Sequence, residues 1–341
     1  MQSLRIVPDL RSSVVEEMPA TQALLFTSAR TDADAELLRD PRVRPFTWRT
    51  YLRQLRDPDL VVLEVAEPLW FGEWKKALRY IAVARAVRPG IRVATYAIEN
   101  FDAAERLGSR TRAVGLSLRG LDLIAFGTTG AADNYLATFG RSLDRIQHAV
   151  LPPRIDTCTV CGPTRGTTRE RRVLFLGAPT DRKGFPVLRE AWERLDPDWQ
   201  LVVADPSGDE PPPLPRKAEL RPDPPRREIH ELLRTSAVVV MPSVRRPGWR
   251  EQIGLPLVEG LAHGCRVVTT TETGLADDLR DHPDVVLTEP GDPDDLARGL
   301  TTAMSRLAQA PDRDGHTKRD VVAWWLEAAK TRRRPAGTGS R

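Results

Sequence analysis

Cysteine is scarce in this chain, lysine is scarcer than its basic content suggests, and long apolar runs are missing. Three cysteines in 341 residues, Cys158, Cys161 and Cys265, are too few for a disulfide framework and point to a reducing, cytoplasmic setting. No apolar run approaches the roughly 20 residues of a bilayer-crossing helix, and no basic flank followed by a continuous apolar stretch opens the chain. Neither a membrane span nor secretion is therefore expected. Aromatics are 6% and are not interleaved with arginine clusters, and no zinc-finger or RNA-recognition signature is present, so a nucleic-acid partner is not expected. Only six of the 51 basic residues are lysine, and the net charge is +4. A modest excess of that kind suits phosphate-bearing small molecules or an anionic membrane surface.

What is present is an alternation of short apolar runs with longer amphipathic ones, the sign of an α/β fold built on parallel sheets. With 40% apolar residues the chain can bury two domains of ordinary size. In the first half 60–65, 92–96 and 121–126 read as strands, and 70–87 and 135–139 as helices. In the second half the strands are 172–176, 201–204, 237–241, 266–269 and 285–287, with helices at 185–195, 227–234, 256–263 and 293–308. Two doubly wound, Rossmann-like domains follow: residues 1–150 and residues 171–315. Between them 151–170 reads as a connector broken by Pro152, Pro153, Gly162 and Pro163. A helix is expected over 316–330 and a solvated basic tail over 331–341. Residues 205–225, with eight prolines, read as an exposed loop or insertion. Cys158 and Cys161 form a C-x-x-C inside the connector. No second ligand pair at zinc-finger spacing accompanies it, and it lies outside any strand-to-helix junction, so no metal is expected.

Three segments of the second half carry candidate chemistry. Gly177 to Gly184 (GAPTDRKG) follows one strand and precedes a helix, where parallel sheets bind ligands, and Arg182 and Lys183 put two cations there. Residues 237–243 (AVVVMPS) form a buried strand ending in a Pro-Ser turn. Glu251 to Glu259 (EQIGLPLVE) sets one carboxylate in a loop and a second on a short helix. The backbone amides of Ile253, Gly254 and Leu255 stand at that helix start, where the dipole favours a phosphate. Carboxylates accept hydrogen bonds, which suits sugar hydroxyls.

The order strand-G-x5-K-G-helix, strand-P-S, E-x7-E with an internal glycine, then His263 to Thr270 (HGCRVVTT), resembles the retaining glycosyltransferases of the GT-B fold, family 4. The resemblance runs over residues 171–300, with echoes at 151–156 and at the tryptophan-bearing helix 320–330. It implies two Rossmann-like domains facing a central cleft, with the last helix crossing back to the first domain. It also implies transfer from a nucleotide-sugar donor to an acceptor with retained configuration, without metal or further cofactor. In that reading Glu251 contacts the donor sugar, Glu259 holds the ribose, Lys183 stabilises the leaving diphosphate, and Gly177 and Arg182 line the donor site. The family carries arginine directly after its first glycine, where this chain has Ala178, and a glycine-rich loop near its start, where residues 1–20 hold no glycine. These departures favour an alternative, a binding or partner subunit without transfer activity. A dinucleotide oxidoreductase would need G-x-G-x-x-G after a strand, and none occurs.

The acceptor is not named by any motif. Residues 70–87 place Trp70, Trp74, Ala77, Leu78, Ile81 and Ala82 on one helical face and Lys75, Lys76 and Arg79 on the other. An interfacial helix on the inner face of the plasma membrane would look like this and would imply a lipid-linked acceptor. A helix covering its own parallel sheet needs the same stripe.

Overall fold

Short runs of branched and leucine residues, bounded by Gly, Pro and Asp, become strands buried on both faces, and amphipathic stretches between them become the covering helices. The computed structural model describes residues 1–29, 37–101, 103–153, 158, 160–162, 169–207, 210–305 and 318–330. In the first domain the strands are β1 (Gln2–Leu10), β2 (Gln22–Ala29), β3 (Val43–Pro45), β4 (Leu60–Glu64), β5 (Arg92–Ala97), β6 (Leu123–Phe126) and β7 (Gln147–Val150). Its helices are α1 (Ser12–Glu16), α2 (Trp48–Leu55), α3 (Phe71–Val87), α4 (Ala103–Leu107), α5 (Thr111–Ser117) and α6 (Thr129–Phe139). The second domain has β8 (Glu170–Leu176), α7 (Phe185–Trp192), β9 (Gln200–Asp205), β10 (Ala218–Pro222), α8 (Arg226–Thr235), β11 (Ser236–Met241), α9 (Leu255–Ala262), β12 (Arg266–Thr270), β13 (Val285–Thr288) and α10 (Pro293–Ser305). The last helix is α11 (Lys318–Lys330).

Among the described residues, the two sheets run β3-β2-β1-β4-β5-β6-β7 and β10-β9-β8-β11-β12-β13. Their neighbours pair in parallel. Each sheet reverses its winding once, between β1 and β4 and between β8 and β11. That reversal opens a crevice at the carboxyl ends of the strands, the usual ligand position in such sheets. The carboxyl ends face each other: Asn100 after β5 donates to the Glu251 carbonyl (3.2 Å), and Thr129 at the start of α6 donates to Asp278 (2.9 Å). Tyr96 and Ile98 pack against the second domain's apolar cluster, which includes Ile253 and Leu275. α11 lies on the first domain, with Val321, Val322, Trp325 and Ala328 packed among Val62, Ala94, Leu123 and Leu151.

The structure corrects or decides the sequence reading at four main points. Residues 205–225 are not all loop: Ala218–Pro222 is an edge strand, β10, paired with β9. Its proline is tolerated because an edge strand has one unpaired side. The first 59 residues contain three strands that alternation did not mark, because Arg5, Pro8 and Asp9 interrupt β1. On α3, Trp74, Ala77, Ile81 and Ala84 are buried in the first domain's core, and Trp74 donates to Ser117 (2.8 Å). Most of the apolar stripe of α3 therefore covers its own sheet, while Trp70 and Ala82 stay exposed, and no helix among the described residues is long and apolar enough to cross a membrane. Fourth, the helix read over 135–139 begins earlier, at Thr129, whose preceding residue Thr128 caps it by accepting from Ala131 (3.0 Å). The tail at 331–341 and the chain at 306–317 lie outside the described residues.

Candidate active site

The loop after β8 is held against the end of β11 by one glycine. Asp181–Lys183 form a single tight turn, and Gly184 ends it in the left-handed region at φ +71°. A Cβ on Gly184 would lie 1.8 Å from the Pro242 carbonyl oxygen, so a side chain at 184 would force the two loops apart. The amide of Val244 donates to the Arg182 carbonyl (3.0 Å) and closes the seam. Across it the Lys183 ammonium donates to the Glu251 carboxylate, which also accepts from the Ser243 hydroxyl (3.2 Å). The pair sits at the β8/β11 reversal, largely shielded from water.

Glu251 is fixed through its backbone as well. Its carbonyl accepts from Gly274 (3.0 Å) and from Asn100 of the first domain (3.2 Å). Gly254 is left-handed at φ +71° and starts α9 with Pro256 in the first turn; Ile253 beside it is buried and Leu255 is exposed. Arg182 stacks on the Trp249 ring (4.8 Å) and Lys183 lies 5.8 Å from the same ring. Next to these groups is a cavity of about 300 Å³ lined by Asp181, Val244, Arg245, Arg246, Glu272 and Gly291. Its walls come from the carboxyl ends of β8, β11, β12 and β13. The volume is at the lower end for small-molecule sites.

Two expected contacts are arranged differently. The Gly177 amide donates to Ala204 of β9 (2.9 Å), so this glycine, expected to line the donor site, spends its amide on the β8–β9 pairing. Glu259 shares no partner with Glu251. Its carboxylate pairs with Arg226 at the start of α8 (2.6 Å), and Arg226 also pairs with Glu16 of the first domain (2.8 Å). Eight residues along a loop and a helix point the two carboxylates at different neighbours.

Glu16 in turn accepts from His230 of α8 (3.3 Å). Burial raises the Glu16 carboxyl, but hydrogen bonds from His230 and Arg226 outweigh it and hold its pKa at about 2. His230 Nδ1 lies 3.2 Å from His263 Nε2 and 3.5 Å from Cys158 Sγ, and the Cys161 amide donates to that sulfur (3.4 Å). A metal-ligating constellation thus exists where the C-x-x-C stood alone in sequence. Across the cleft, Glu67 is buried and accepts from Tyr135 (2.8 Å) and from the Ile98 amide (3.1 Å). Burial and the nearby Glu99 charge push its pKa well above the carboxylate range. Glu99 Oε2 and Asn100 Oδ1 are buried without a hydrogen-bond partner.

Of the residues picked from sequence, Lys183, Glu251 and Arg182 come together, and Glu259 stands apart. Sequence reasoning missed Trp249, Ser243's bond to Glu251, and the Arg226–Glu16 link. The Pro247-Gly248 turn that presents Trp249 was a readable signal; the Arg226 link was not, since it joins α8, α9 and α1.

Residues 170–306 match the family model described as glycosyl transferases group 1. No curated protein matches the chain. Among solved structures it is similar to a glycosyltransferase from Rickettsia africae at 14% identity and a TM-score of 0.68, covering 96% of this chain and 97% of that one. It is similar to Anabaena HepE (Alr3699), solved with UDP and glucose, at 14% identity and a TM-score of 0.66, covering 97% and 100%. A UDP-forming trehalose-phosphate synthase from Burkholderia xenovorans is similar at 14% identity and a TM-score of 0.63, again covering 97% and 100%. At these identities the likeness establishes the architecture: two Rossmann-like domains in the GT-B arrangement.

Proposed function

We propose that this chain is a glycosyltransferase that moves a hexosyl group from a nucleotide sugar to an acceptor hydroxyl, retaining the anomeric configuration and using no metal at the diphosphate. The observation that carries the reading is the meeting of Lys183 and Glu251 at the β8/β11 reversal, beside a cavity flanked by arginines. The donor diphosphate takes the place of Glu251 as the partner of Lys183, so that charge growing on the leaving group is met by a cation already in position. Glu251, released, accepts from hydroxyls of the donor sugar. Arg182, and the amides of Ile253, Gly254 and Leu255 at the start of α9, complete the phosphate cradle. Glu259 exchanges part of its Arg226 contact for the ribose hydroxyls.

The family match over the second domain supports this reading, as do the UDP and UDP-glucose held by HepE. UDP-hexoses are therefore the first donors to try. The Asn100 side-chain carbonyl oxygen, buried without a hydrogen-bond partner just after β5, and the Glu99 carboxylate beside it, which has Arg106 at 4.0 Å, offer the acceptor hydroxyl its contacts. With Trp74, Ala77 and Ile81 of the α3 stripe in the core, little apolar surface is left for a bilayer, and a water-soluble acceptor fits better than a lipid-linked one. The test is a donor panel with release of nucleoside diphosphate as readout, followed by NMR of the product anomer. Tight donor binding without release of diphosphate, in water or with any acceptor tried, would favour the binding-subunit alternative; an inverted anomer would remove the retaining assignment.

A further inference from the structure

The structure assigns a metal site outside the sugar-transfer machinery: we propose that Cys158, Cys161, His230 and His263 bind one structural zinc ion. The four ligand atoms lie within 4.8 Å of one another. Zinc bonds of about 2.3 Å to sulfur and 2.0–2.1 Å to nitrogen place tetrahedral ligands roughly 3.3–3.8 Å apart, so an ion is reached by drawing the widest of these gaps in by about 1 Å. Two of them already match: 3.2 Å between His230 Nδ1 and His263 Nε2 and 3.5 Å between His230 Nδ1 and Cys158 Sγ.

The surroundings fit zinc as closely as the ligands do. The second nitrogen of each histidine is taken: His263 Nδ1 donates to the Glu259 carbonyl (2.7 Å) and His230 Nε2 to the Glu16 carboxylate (3.3 Å). A carbonyl on one imidazole and a carboxylate on the other fix the rings with a lone pair toward the metal. The amide of Cys161 donates to Cys158 Sγ (3.4 Å). Binding deprotonates both thiols, so two thiolates balance the charge of one Zn²⁺ and the imidazoles stay neutral. Four protein ligands close the coordination sphere and leave no position for water or substrate, so the ion is structural. Cys265, the third cysteine, faces the Leu233 and Ser236 carbonyls and is not a ligand.

The site has a definite structural task. Its sulfurs come from the connector and its nitrogens from α8 and the end of α9. Through Glu16 it also reaches α1 of the first domain. Zinc here ties the crossing between domains to the second domain's helices. The assignment stands on this geometry and is independent of the sugar-transfer reading.

The experiment measures metal in the full chain, purified without chelator and without a histidine tag. About one zinc per chain is expected, falling to near zero in Cys158→Ser and in His263→Gln. Cobalt exchange into the unaltered chain does not depend on those variants folding. It should give thiolate-to-cobalt charge transfer and the strong visible absorption of a tetrahedral site. Chelation should lower Tm by several degrees, and added zinc should restore it and protect two thiols from modification. Trace metal in the native chain, with added zinc changing neither Tm nor thiol reactivity, overturns the proposal. So does a cobalt spectrum without sulfur bands, or a Cys158–Cys161 disulfide found by mass spectrometry in the freshly isolated chain.

Discussion

Replacing Lys183 by alanine separates the two tasks given to its ammonium. In the free protein its side chain is 16% exposed and that of Glu251 11%, so the pair is too shielded to behave as a surface ion pair. Losing the cation leaves the Glu251 carboxylate with the Ser243 hydroxyl as its side-chain donor. A stability loss of about 1–3 kcal/mol follows, below the full cost for a wholly buried charge because some water still reaches both groups. In the proposed transfer the same ammonium faces a leaving diphosphate, and removing one preorganised donor of that kind costs about 10²–10³ in kcat. The assay is nucleoside diphosphate release under saturating donor, with chemical denaturation run in parallel. Lys183→Ala combined with Glu251→Gln should recover part of the stability, since no uncompensated carboxylate remains, and none of the turnover. A variant that raises the donor KM and leaves kcat unchanged refutes a transition-state role for Lys183 and makes it a ground-state contact.

Glu259→Ala should weaken nucleotide binding by about 1–3 kcal/mol in calorimetry, because ribose hydroxyls lose their acceptor; an unchanged affinity would rule out the ribose contact. Gly184→Ala should destabilise the chain and abolish donor binding together, since its Cβ meets the Pro242 carbonyl at 1.8 Å and the left-handed φ adds strain; a well-folded variant with normal binding would show that the two loops need not touch. Glu67 titrates with the opposite sign to a paired surface carboxylate. Its folded pKa is raised by burial and by Glu99, so its contribution to stability is present below the ordinary carboxylate range and is lost as pH rises toward the raised value. Glu67→Gln should flatten the fall of Tm from mildly acidic to neutral pH, removing up to about 1.4 kcal/mol per pH unit; an unaltered slope assigns the dependence elsewhere.

The strands easiest to read were those buried on both faces, such as Leu60–Glu64 and Ser236–Met241, because continuous apolar residues are the signature of an interior parallel strand. Polar strands, and every edge strand except β13, were not readable. β10 is an edge strand half-buried along AELRP among prolines, and nothing in its composition distinguishes it from the loop around it. β1 carries Arg5, whose guanidinium pairs with Glu64 of β4 (3.3 Å); a charge that finds its partner on the next strand looks, in one dimension, like a break. The same limit applies to function. Lys183 and Glu251 could be placed from their loops, because each loop ends at the same reversal of the sheet. Glu259 could be found by spacing from Glu251, yet its neighbour Arg226 comes from a helix that spacing does not relate to it.

The C-x-x-C shows why a motif rule fails when ligands are assembled by packing. Zinc-finger spacing looks for a second pair close in sequence, whereas here each histidine comes from a different helix, and they meet because α8 and α9 both pack beside β11. The four residues also join the second domain's periphery to the first domain through a closed ring of contacts. His263 binds the Glu259 carbonyl, the Glu259 carboxylate binds Arg226, Arg226 binds Glu16, and Glu16 binds His230. Groups joined in one ring do not contribute additively. Loss of any ligand should therefore loosen Glu259 and the domain contact at Glu16 along with the connector. For that reason metal content and nucleotide affinity should fall together in a ligand variant, while Lys183→Ala, whose partner Glu251 precedes the opposite end of α9, should keep its metal.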